Sequence, residues 1–310
     1  PRKIDWKSRN LDPWGGYRLF ACWVPTPTTM KNMPYLSRFS LLALLVMGPV
    51  LGQSADDVED RGTLDLRVLK STPDSDWDAR AVEHLFNRAG FGAHNLDVRR
   101  GLRTGKELLV RQMIRGEEEG PRFVSYPVEP NMELLKGGNE EERKQERNRL
   151  RNDNRRQGEE FLSWWVDRML AGHAPLRERM TLFWHGFFTS DATKVRLVEL
   201  MIDQNELLRV HALGNFGEML HAIVRDPAML IYLDNISNTE ASPNENLARE
   251  LMELFSLGEG NYTEEDIREV ARALTGYGID SKREFSFNPR KHDFGTKTIL
   301  GVEGRHDARD

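Results

Sequence analysis

The sequence predicts a mainly α-helical fold, a multi-helix globular body with a small β-hairpin near its C-terminal end. Apolar residues recur at helical spacing in many segments after residue 77, and helix-capping residues precede several of them. Only after Gly276 does the pattern change to strand-like alternation. The 310 residues, 39% hydrophobic and 30% charged, have an ordinary globular composition. We therefore expect residues 77–310 to form a single helical domain.

The first helices are predicted from their capping residues and apolar faces. Ser75 or Asp76 is expected to cap a helix that runs through Arg88 and stops at Gly90. Further helical segments are a short turn at 95–102 and a helix at 108–115, which residues 104–107 would begin with a capping box.

Residues 116–158 interrupt this pattern and resemble a charged insertion. Prolines and glycines come first, and a run of mixed charge follows at 139–156. Acidic and basic residues alternate within the run and no aromatic residue accompanies them, which favours a solvated helix with internal ion pairs over a nucleic-acid site. The net charge of −5 and the pI near 6.0 also argue against a nucleic-acid partner.

Helix signals are densest after residue 160. Most of these segments start at a proline, an aspartate, an asparagine or a threonine that suits the first turn of a helix. The predicted helices are 161–171, 176–188 after Pro175, 194–213, 216–225 after the capping box 215–218, 227–233 after Asp226, 243–258 opened by 242–245, and 263–276 opened by 263–266.

The predicted hairpin follows the last helix. Phe285 and Phe287 alternate with polar residues, and residues 297–300 form a second short extended run. The segment 288–295 separates the two runs, so we expect them to pair with each other across it. Within that segment Asp293 suits an Asx-turn.

The N-terminal quarter of the chain predicts export. Lys31 and Arg38 precede the apolar stretch 39–47, and small residues follow it, which is the order of a secretory signal peptide at 30–55. The apolar stretch is shorter than the roughly 18 residues that a membrane span needs, so cleavage is favoured over an uncleaved anchor. We expect a periplasmic or extracellular protein with no transmembrane helix after cleavage. Residues 1–29 would be an upstream extension, and 56–76 a disordered acidic leader.

The chain contains one cysteine, Cys22, which precedes the predicted signal peptide. The exported form would therefore hold no thiol. Disulfides, thiolate catalysis and cysteine-ligated zinc are then excluded for that form.

Two polar residues lie on the apolar face of the predicted helix 194–213. An advance of 100° per residue places Asn205 and Arg209 among its apolar positions, so both are expected to be buried. A buried amide and a buried guanidinium must be hydrogen-bonded or paired, and a carboxylate should face them from another helix. They would form either a satisfied core network or the wall of a polar pocket.

The predicted helix 243–258 has an apolar face and a polar ridge. Its core positions are Leu247, Leu251, Leu254 and Phe255. The ridge contains Glu245, Asn246, Arg249, Glu250 and Glu253 at i, i+4 spacings. Pairing of Arg249 with Glu245 and Glu253 would explain it as a solvated face. Alternatively, Glu250 and Glu253 would face a cleft as metal ligands or as an acid and a base.

His185 lies on a helix rich in aromatic residues, where a lone histidine is either a structural hydrogen-bonding residue or a ligand. No His-x-x-x-His or Glu-x-x-His pair accompanies it. Nucleophile elbows, phosphate-binding loops and dinucleotide fingerprints are also missing from the sequence. The common hydrolase and nucleotide-binding classes therefore lose support.

Several motifs occur together in this chain, including Trp184-His185, Gln204-Asn205 and His292-Asp293. Together they resemble a bacterial family known as domain of unknown function 1800. The segments that carry the resemblance, within residues 82–301, are 84–92, 175–188, 204–205, 214–216, 226–230, 232–235, 243–258, 262–264, 271–276 and 292–295. The resemblance implies a helical fold and export but no catalytic residues. It also implies a further C-terminal helical portion after residue 310 and marks 116–158 as an insertion.

Glu250, Arg249, His185 and Asn205 are the candidate site residues, and we expect them to share one cleft-facing polar cluster. One hypothesis is a cell-envelope enzyme that acts on a small-molecule or polymer ligand through carboxylates, with the cofactor or metal, if any, unknown. The alternative is a non-catalytic envelope binding or assembly protein whose polar motifs are structural. Convergence on an accessible cavity favours the first hypothesis, and internal pairing favours the second.

Overall fold

The computed structural model describes residues 76–115, 122–172 and 174–307. The predicted upstream extension 1–29, the signal peptide 30–55 and all but the last residue of the leader 56–76 lie outside the described residues.

The described residues form a mainly α-helical body with two small β-hairpins at its C-terminal end, which confirms the predicted fold class. None of the described helices is long and apolar enough to cross a membrane. In chain order the helices are α1 (Ala79–Ala89), α2 (Asn95–Thr104), α3 (Lys106–Arg115), α4 (Met132–Gly137), α5 (Glu140–Ala171), α6 (Pro175–Phe187), α7 (Ala192–Val195), α8 (Val198–His211), α9 (Phe216–Val224), α10 (Pro227–Tyr232), α11 (Asn246–Glu253) and α12 (Glu264–Ala273).

Helices α1 to α3 pack around a small core of their own, made of Val82, Phe86, Leu109 and Met113. Gly101 of α2 lies against this core, and a Cβ atom there would stand 2.5 Å from Cγ1 of Val82. The close approach of α1 and α2 therefore depends on glycine at this position.

The starts of these helices correct two predictions. Asp78, rather than Ser75 or Asp76, caps α1 by accepting a hydrogen bond from the Ala81 N–H. The capping box predicted at 104–107 is wrong, because α2 extends through Thr104 and only Gly105, at φ +79°, separates it from α3. Gly105 has no side chain with which to cap α3.

In the segment predicted to be a charged insertion, the described residues 122–158 form an extended strap, a short helix and the first half of a long one. Residues 122–131 run along α5, whose Gln157 amide binds both the N–H and the carbonyl of Tyr126 at 3.0 and 2.8 Å. Glu146 of α5 accepts from the Asn131 N–H at 2.7 Å. Asn139 caps the 32-residue α5. The predicted solvated helix with ion pairs is confirmed.

The main core joins α6 and α8 to α12 with the first strand. Its fully buried members are large apolar side chains from α8 to α12 and from the residues that directly follow α6 and α12. They include Phe188, Leu208, Met219, Ile223, Met229, Leu230, Leu247, Ile267 and Leu274.

Two predicted helices are shorter than expected. The helix predicted at 194–213 is broken at Arg196, which has φ +62°, into α7 and α8. The helix predicted at 243–258 spans only α11. Ser242 pairs with Thr239 in an isolated bridge, so the predicted box at 242–245 does not form. Because α11 ends at Glu253, Leu254 leaves the helical register and is 59% exposed, whereas it was predicted in the core.

The strands form two hairpins where the sequence predicted one. β1 (Tyr277–Ile279) pairs with β2 (Phe285–Phe287), and β3 (Lys297–Ile299) pairs with β4 (Val302–Gly304), both antiparallel. Each predicted run is thus a strand, but each pairs with a neighbour closer in sequence. Leu300 and Gly301, both at positive φ, make the short turn that allows the second pairing.

Candidate functional site

A buried ion-pair network joins α5, α6 and α8. Glu178 of α6 is 1% exposed and accepts from Trp165 Nε1 at 3.0 Å, from Arg168 Nε at 2.5 Å and from Arg209 Nε at 3.0 Å. Arg209 also donates through Nη2 to the second carboxylate oxygen at 3.3 Å. This confirms the prediction that Arg209 is buried and faces a carboxylate from another helix.

The charge on Glu178 is stabilised by its partners. Burial acts to raise the pKa of Glu178, but the hydrogen bonds and charges of Arg209 and Arg168 outweigh it and lower the pKa. Arg209 has a second acid, Glu206, at 2.8 Å, and its guanidinium lies 5.2 Å from the centre of the Trp164 ring. The network is internally neutralised, and its geometry indicates a structural role.

His185 and Asn205, two of the candidate site residues, are in direct contact beside this network. Asn205 is fully buried, and its Nδ2 lies 2.9 Å from Nε2 of His185. The His185 ring packs on Trp165 with the ring centres 5.0 Å apart. Burial, assisted by the charge of Arg209, lowers the pKa of His185 to about 3. His185 is therefore neutral at pH 7 and poorly matched to general acid–base chemistry there.

The neutral state fixes how this pair is bonded. An Asn205 amide that donates to Nε2 requires the ring proton on Nδ1. Oδ1 of Asn205 is then buried without a hydrogen-bond partner in the described structure. Asn205, on the neighbouring helix α8, thus holds His185 in one tautomer, while its own Oδ1 accepts no hydrogen bond from the described residues.

Arg249 lies on the surface between α11 and α12. It donates to Glu245 at 3.1 Å and to both oxygens of Glu264 at 3.0 and 2.8 Å. The predicted pair with Glu245 is confirmed, but the predicted pair with Glu253 is not formed. Glu253 instead accepts from the Tyr262 hydroxyl at 3.0 Å. The carboxylates of Glu264 and Glu245 raise the pKa of Arg249 above its ordinary value.

Glu250 is the least satisfied of the four. It is partly buried on α11, and no hydrogen bond or ion pair reaches its carboxylate from the part of the chain that the structure describes. Burial and the neighbouring charge of Glu253 raise its pKa. A carboxyl group in this state retains the capacity to bind a proton or a ligand.

Of the four candidates, only His185 and Asn205 are joined to each other by a described hydrogen bond. His185 and Asn205 join α6 to α8, while Arg249 and its neighbour Glu250 belong to the surface formed by α11 and α12. Among the described residues, no hydrogen bond or ion pair joins one pair to the other. The shared cleft stays a prediction. No group of three or more His, Cys, Asp or Glu residues in the described ranges is arranged to hold a metal ion.

Two surface cavities are lined by other residues. One, of about 420 Å³, lies at the start of α3. The other, of about 300 Å³, lies on the β1–β2 hairpin. Neither cavity includes any of the four candidate residues in its lining.

A second buried polar chain was missed by sequence reasoning. Ser190 donates to Gln204 at 2.5 Å, and Gln204 donates to Asp226 at 2.7 Å. Asp226 also caps α10 through the Met229 N–H at 2.8 Å, as predicted. Burial raises the pKa of Asp226 to about 7. The sequence signal that pointed to these hydrogen-bonded residues was the position of Gln204, which directly precedes Asn205, a residue predicted to be buried.

The segment that contains His292 and Asp293 is a structural turn. Asp293 accepts from the Gly295 N–H at 2.8 Å, which confirms the predicted Asx-turn, and it pairs with Arg272 at 2.7 Å. His292 is buried against Thr275. Lys297 is fully buried and donates to the carbonyls of Asp293 and Gly295 at 2.6 and 3.0 Å. These contacts attach the second hairpin to α12.

Fold and contacts together define a class: a mainly α-helical protein whose helices are joined through buried, internally paired polar side chains. A family model described as a protein of unknown function, DUF1800, matches residues 84–310. The chain belongs to this family. The sequence of this chain has no significant match among curated proteins or among solved structures.

Proposed function

We propose that this is a non-catalytic binding protein of the bacterial cell envelope, exported by the signal at 30–55, which attaches to an envelope polymer. The observation that carries this proposal is internal pairing. Three of the four candidate site residues are bonded to protein partners, namely His185 to Asn205 and Arg249 to Glu245 and Glu264. Side chains committed in this way support the helices and are not available to a substrate.

The electrostatics agree with this proposal. An acid–base catalyst works best with a pKa near the operating pH, whereas the pKa of His185 is about 3. Its partner Asn205 has no titratable group, and Arg249 keeps its charge. The buried carboxylate of Glu178 is occupied by Trp165, Arg168 and Arg209.

One observation favours the enzyme as a second candidate. Glu250 is partly buried, has a raised pKa and lies beside Glu253 on α11. Two neighbouring carboxyl groups with unequal environments are a known arrangement for acid–base chemistry on polysaccharides. Glu250 is therefore the residue whose substitution separates the two functions.

The test is co-sedimentation of the full chain with isolated peptidoglycan sacculi, followed by chromatography of the supernatant. We expect the protein to pellet with the sacculi and to release no soluble fragments, and Glu250→Gln to behave in the same way. Glu83→Gln, at an exposed glutamate on α1, controls for the loss of one charge.

Two outcomes would overturn the proposal. Soluble fragments that disappear with Glu250→Gln but persist with Glu83→Gln would establish the enzyme. A protein that stays in the supernatant would show that it does not attach to this polymer.

A further inference from the structure

We infer that the cavity on the β1–β2 hairpin is a binding site for an acidic sugar, a ring of monosaccharide size that carries one carboxylate. The inference rests on the proposed attachment to an envelope polymer and names the unit that would be recognised. The cavity, of about 300 Å³, lies at the lower end of the range for ligand pockets and is large enough for one sugar ring. Its lining comprises Ile236, Asn238, Gly276, Tyr277, Gly278, Ile279, Ser286, Asn288 and Lys291.

The floor of the cavity is glycine backbone. Gly278 pairs with Ser286 across the hairpin, so the two residues share one face of it. A Cβ atom added to Gly278 would meet no atom within 4 Å and would project into open space. The opposite face of the hairpin carries Tyr277 and Phe285, whose rings contact each other at 5.1 Å. One face of the hairpin is thus packed and the other is open.

The walls of the cavity are held in place by backbone hydrogen bonds. Gly276 N–H donates to the Asn238 carbonyl at 3.1 Å, and Asn288 N–H donates to the Gly276 carbonyl at 2.8 Å. Lys291 accepts through its carbonyl from the Glu240 N–H at 2.8 Å. A site that is already formed avoids part of the ordering cost of binding.

Three polar side chains in the lining have groups left over for a ligand. Among the described residues, the Lys291 ammonium and the Ser286 hydroxyl have no hydrogen-bond partner. The Asn288 side chain uses only Oδ1, which accepts from the Arg290 N–H at 3.0 Å. Its Nδ2 remains available to donate. An ammonium, a hydroxyl and an amide donor suit a carboxylate together with sugar hydroxyl or acetamido oxygens.

The charge and the apolar part of the lining further restrict which ligands the cavity can bind. Lys291 is the only cationic side chain in the lining, which fits one negative charge better than a phosphate dianion. Ile236 is 43% exposed and offers an aliphatic surface to the C–H face of a ring. An uncharged sugar would lack the ion pair with Lys291. A simple carboxylate without a sugar ring would lack the contacts with Ser286, Asn288 and Ile236.

The experiment uses two sugars that differ only in the acidic group, N-acetylmuramic acid and N-acetylglucosamine. Binding of each to the full chain is measured by NMR chemical-shift titration, with the backbone amides of 276–279 and 286–291 as reporters. We expect N-acetylmuramic acid to bind at least about tenfold more tightly, because a hydrogen bond to a charged group is involved.

Two variants test the site and one controls for it. Lys291→Met should remove the preference for the acidic sugar, and Gly278→Val should block both sugars by filling the floor, while valine remains suited to a strand. Lys282→Met, at an exposed lysine outside the lining, should bind like the unmodified protein. Melting curves for each variant separate lost binding from lost folding.

The inference falls if the two sugars bind equally, if neither binds, or if Lys282→Met weakens binding as much as Lys291→Met. Sedimentation with sacculi from which an amidase has removed the stem peptides, so that the muramic carboxylates are free, then shows which idea has failed. If unmodified protein still pellets and Gly278→Val pellets equally well, the cavity is not the site and the attachment proposal stands. If unmodified protein does not pellet, the attachment proposal fails irrespective of the sugar result.

Discussion

Glu178 shows how a single carboxylate organises several helices. It receives hydrogen bonds from Trp165, Arg168 and Arg209, which come from the helices on both sides of it in the chain. Removal of one member of such a buried group leaves charges without partners, which is more costly than the loss of a surface ion pair. The buried polar residues of this group therefore have a structural reason to be present that requires no role in chemistry.

Asn205→Leu should destabilise the protein, although it places an apolar side chain in an apolar site. The nitrogen of His185 would lose its donor and stay buried, which costs about 1 to 3 kcal/mol. Urea unfolding measures the change. The double variant His185→Phe with Asn205→Leu removes both partners and should cost less than the sum of the single changes. Strict additivity would mean that the two residues do not interact.

The raised pKa of Asp226 predicts that the stability of the fold depends on pH. The folded-state pKa of about 7 lies above the ordinary value of 3.8, so between these values the folded protein holds a proton that the unfolded chain releases. This stabilisation is complete below pH 3.8 and is lost as the pH rises to about 7. The rise in pKa corresponds to at most about 4 kcal/mol.

Asp226→Asn keeps a capping side chain without the charge and should remove this contribution to the slope. Unfolding by urea at pH 5 and pH 8 should show the unmodified protein losing stability relative to the variant as the pH rises. Asp167→Asn, at an exposed aspartate on α5, should keep the original slope. Equal slopes for Asp226→Asn and the unmodified protein would contradict the prediction.

At the scale of the element, local signals determined which predictions succeeded. Thr263 and Asp266 form the predicted capping box because both partners lie within one turn of chain. The strands at Phe285 and Lys297 were predicted correctly, but their pairing depended on Tyr277 and Val302, whose short runs carry no alternation of their own. Burial of Arg209 followed from helical periodicity, whereas its acid, Glu178, lies 31 residues away and could not be identified from local spacing.

Gly101 offers an element-scale prediction about the contact between α1 and α2. Gly101→Ala would place a Cβ atom 2.5 Å from Val82 and 3.1 Å from Leu109, so overpacking should cost about 1 to 3 kcal/mol. The matched control is Gly137→Ala in α4, where no atom lies within 4 Å and a gain of up to about 1 kcal/mol is expected. Thermal melting compares the two. A Gly101→Ala protein as stable as the control would refute the tight contact.

At the scale of the whole molecule, the signal peptide predicted at 30–55 implies a processed form. Expression of the full chain in a bacterium with a general secretion pathway should yield a protein cleaved between about residues 52 and 56, because small residues follow the apolar stretch there. Mass spectrometry of the envelope fraction identifies the new N-terminus. A protein that keeps residues before 30 would contradict export by this signal.

The continuous helix α5 has a consequence for how the molecule opens. Its first half bears charged, mostly exposed side chains and contacts the strap 122–131, whereas the second half buries Phe161, Trp165 and Met169. Amide protons of 140–156 should therefore exchange with deuterium through local opening, and those of 161–171 only when most of the fold opens. Hydrogen-exchange mass spectrometry would then show a gradient along one unbroken helix. Its outer end would act as an independently fluctuating unit, and its inner end would share the cooperativity of the core.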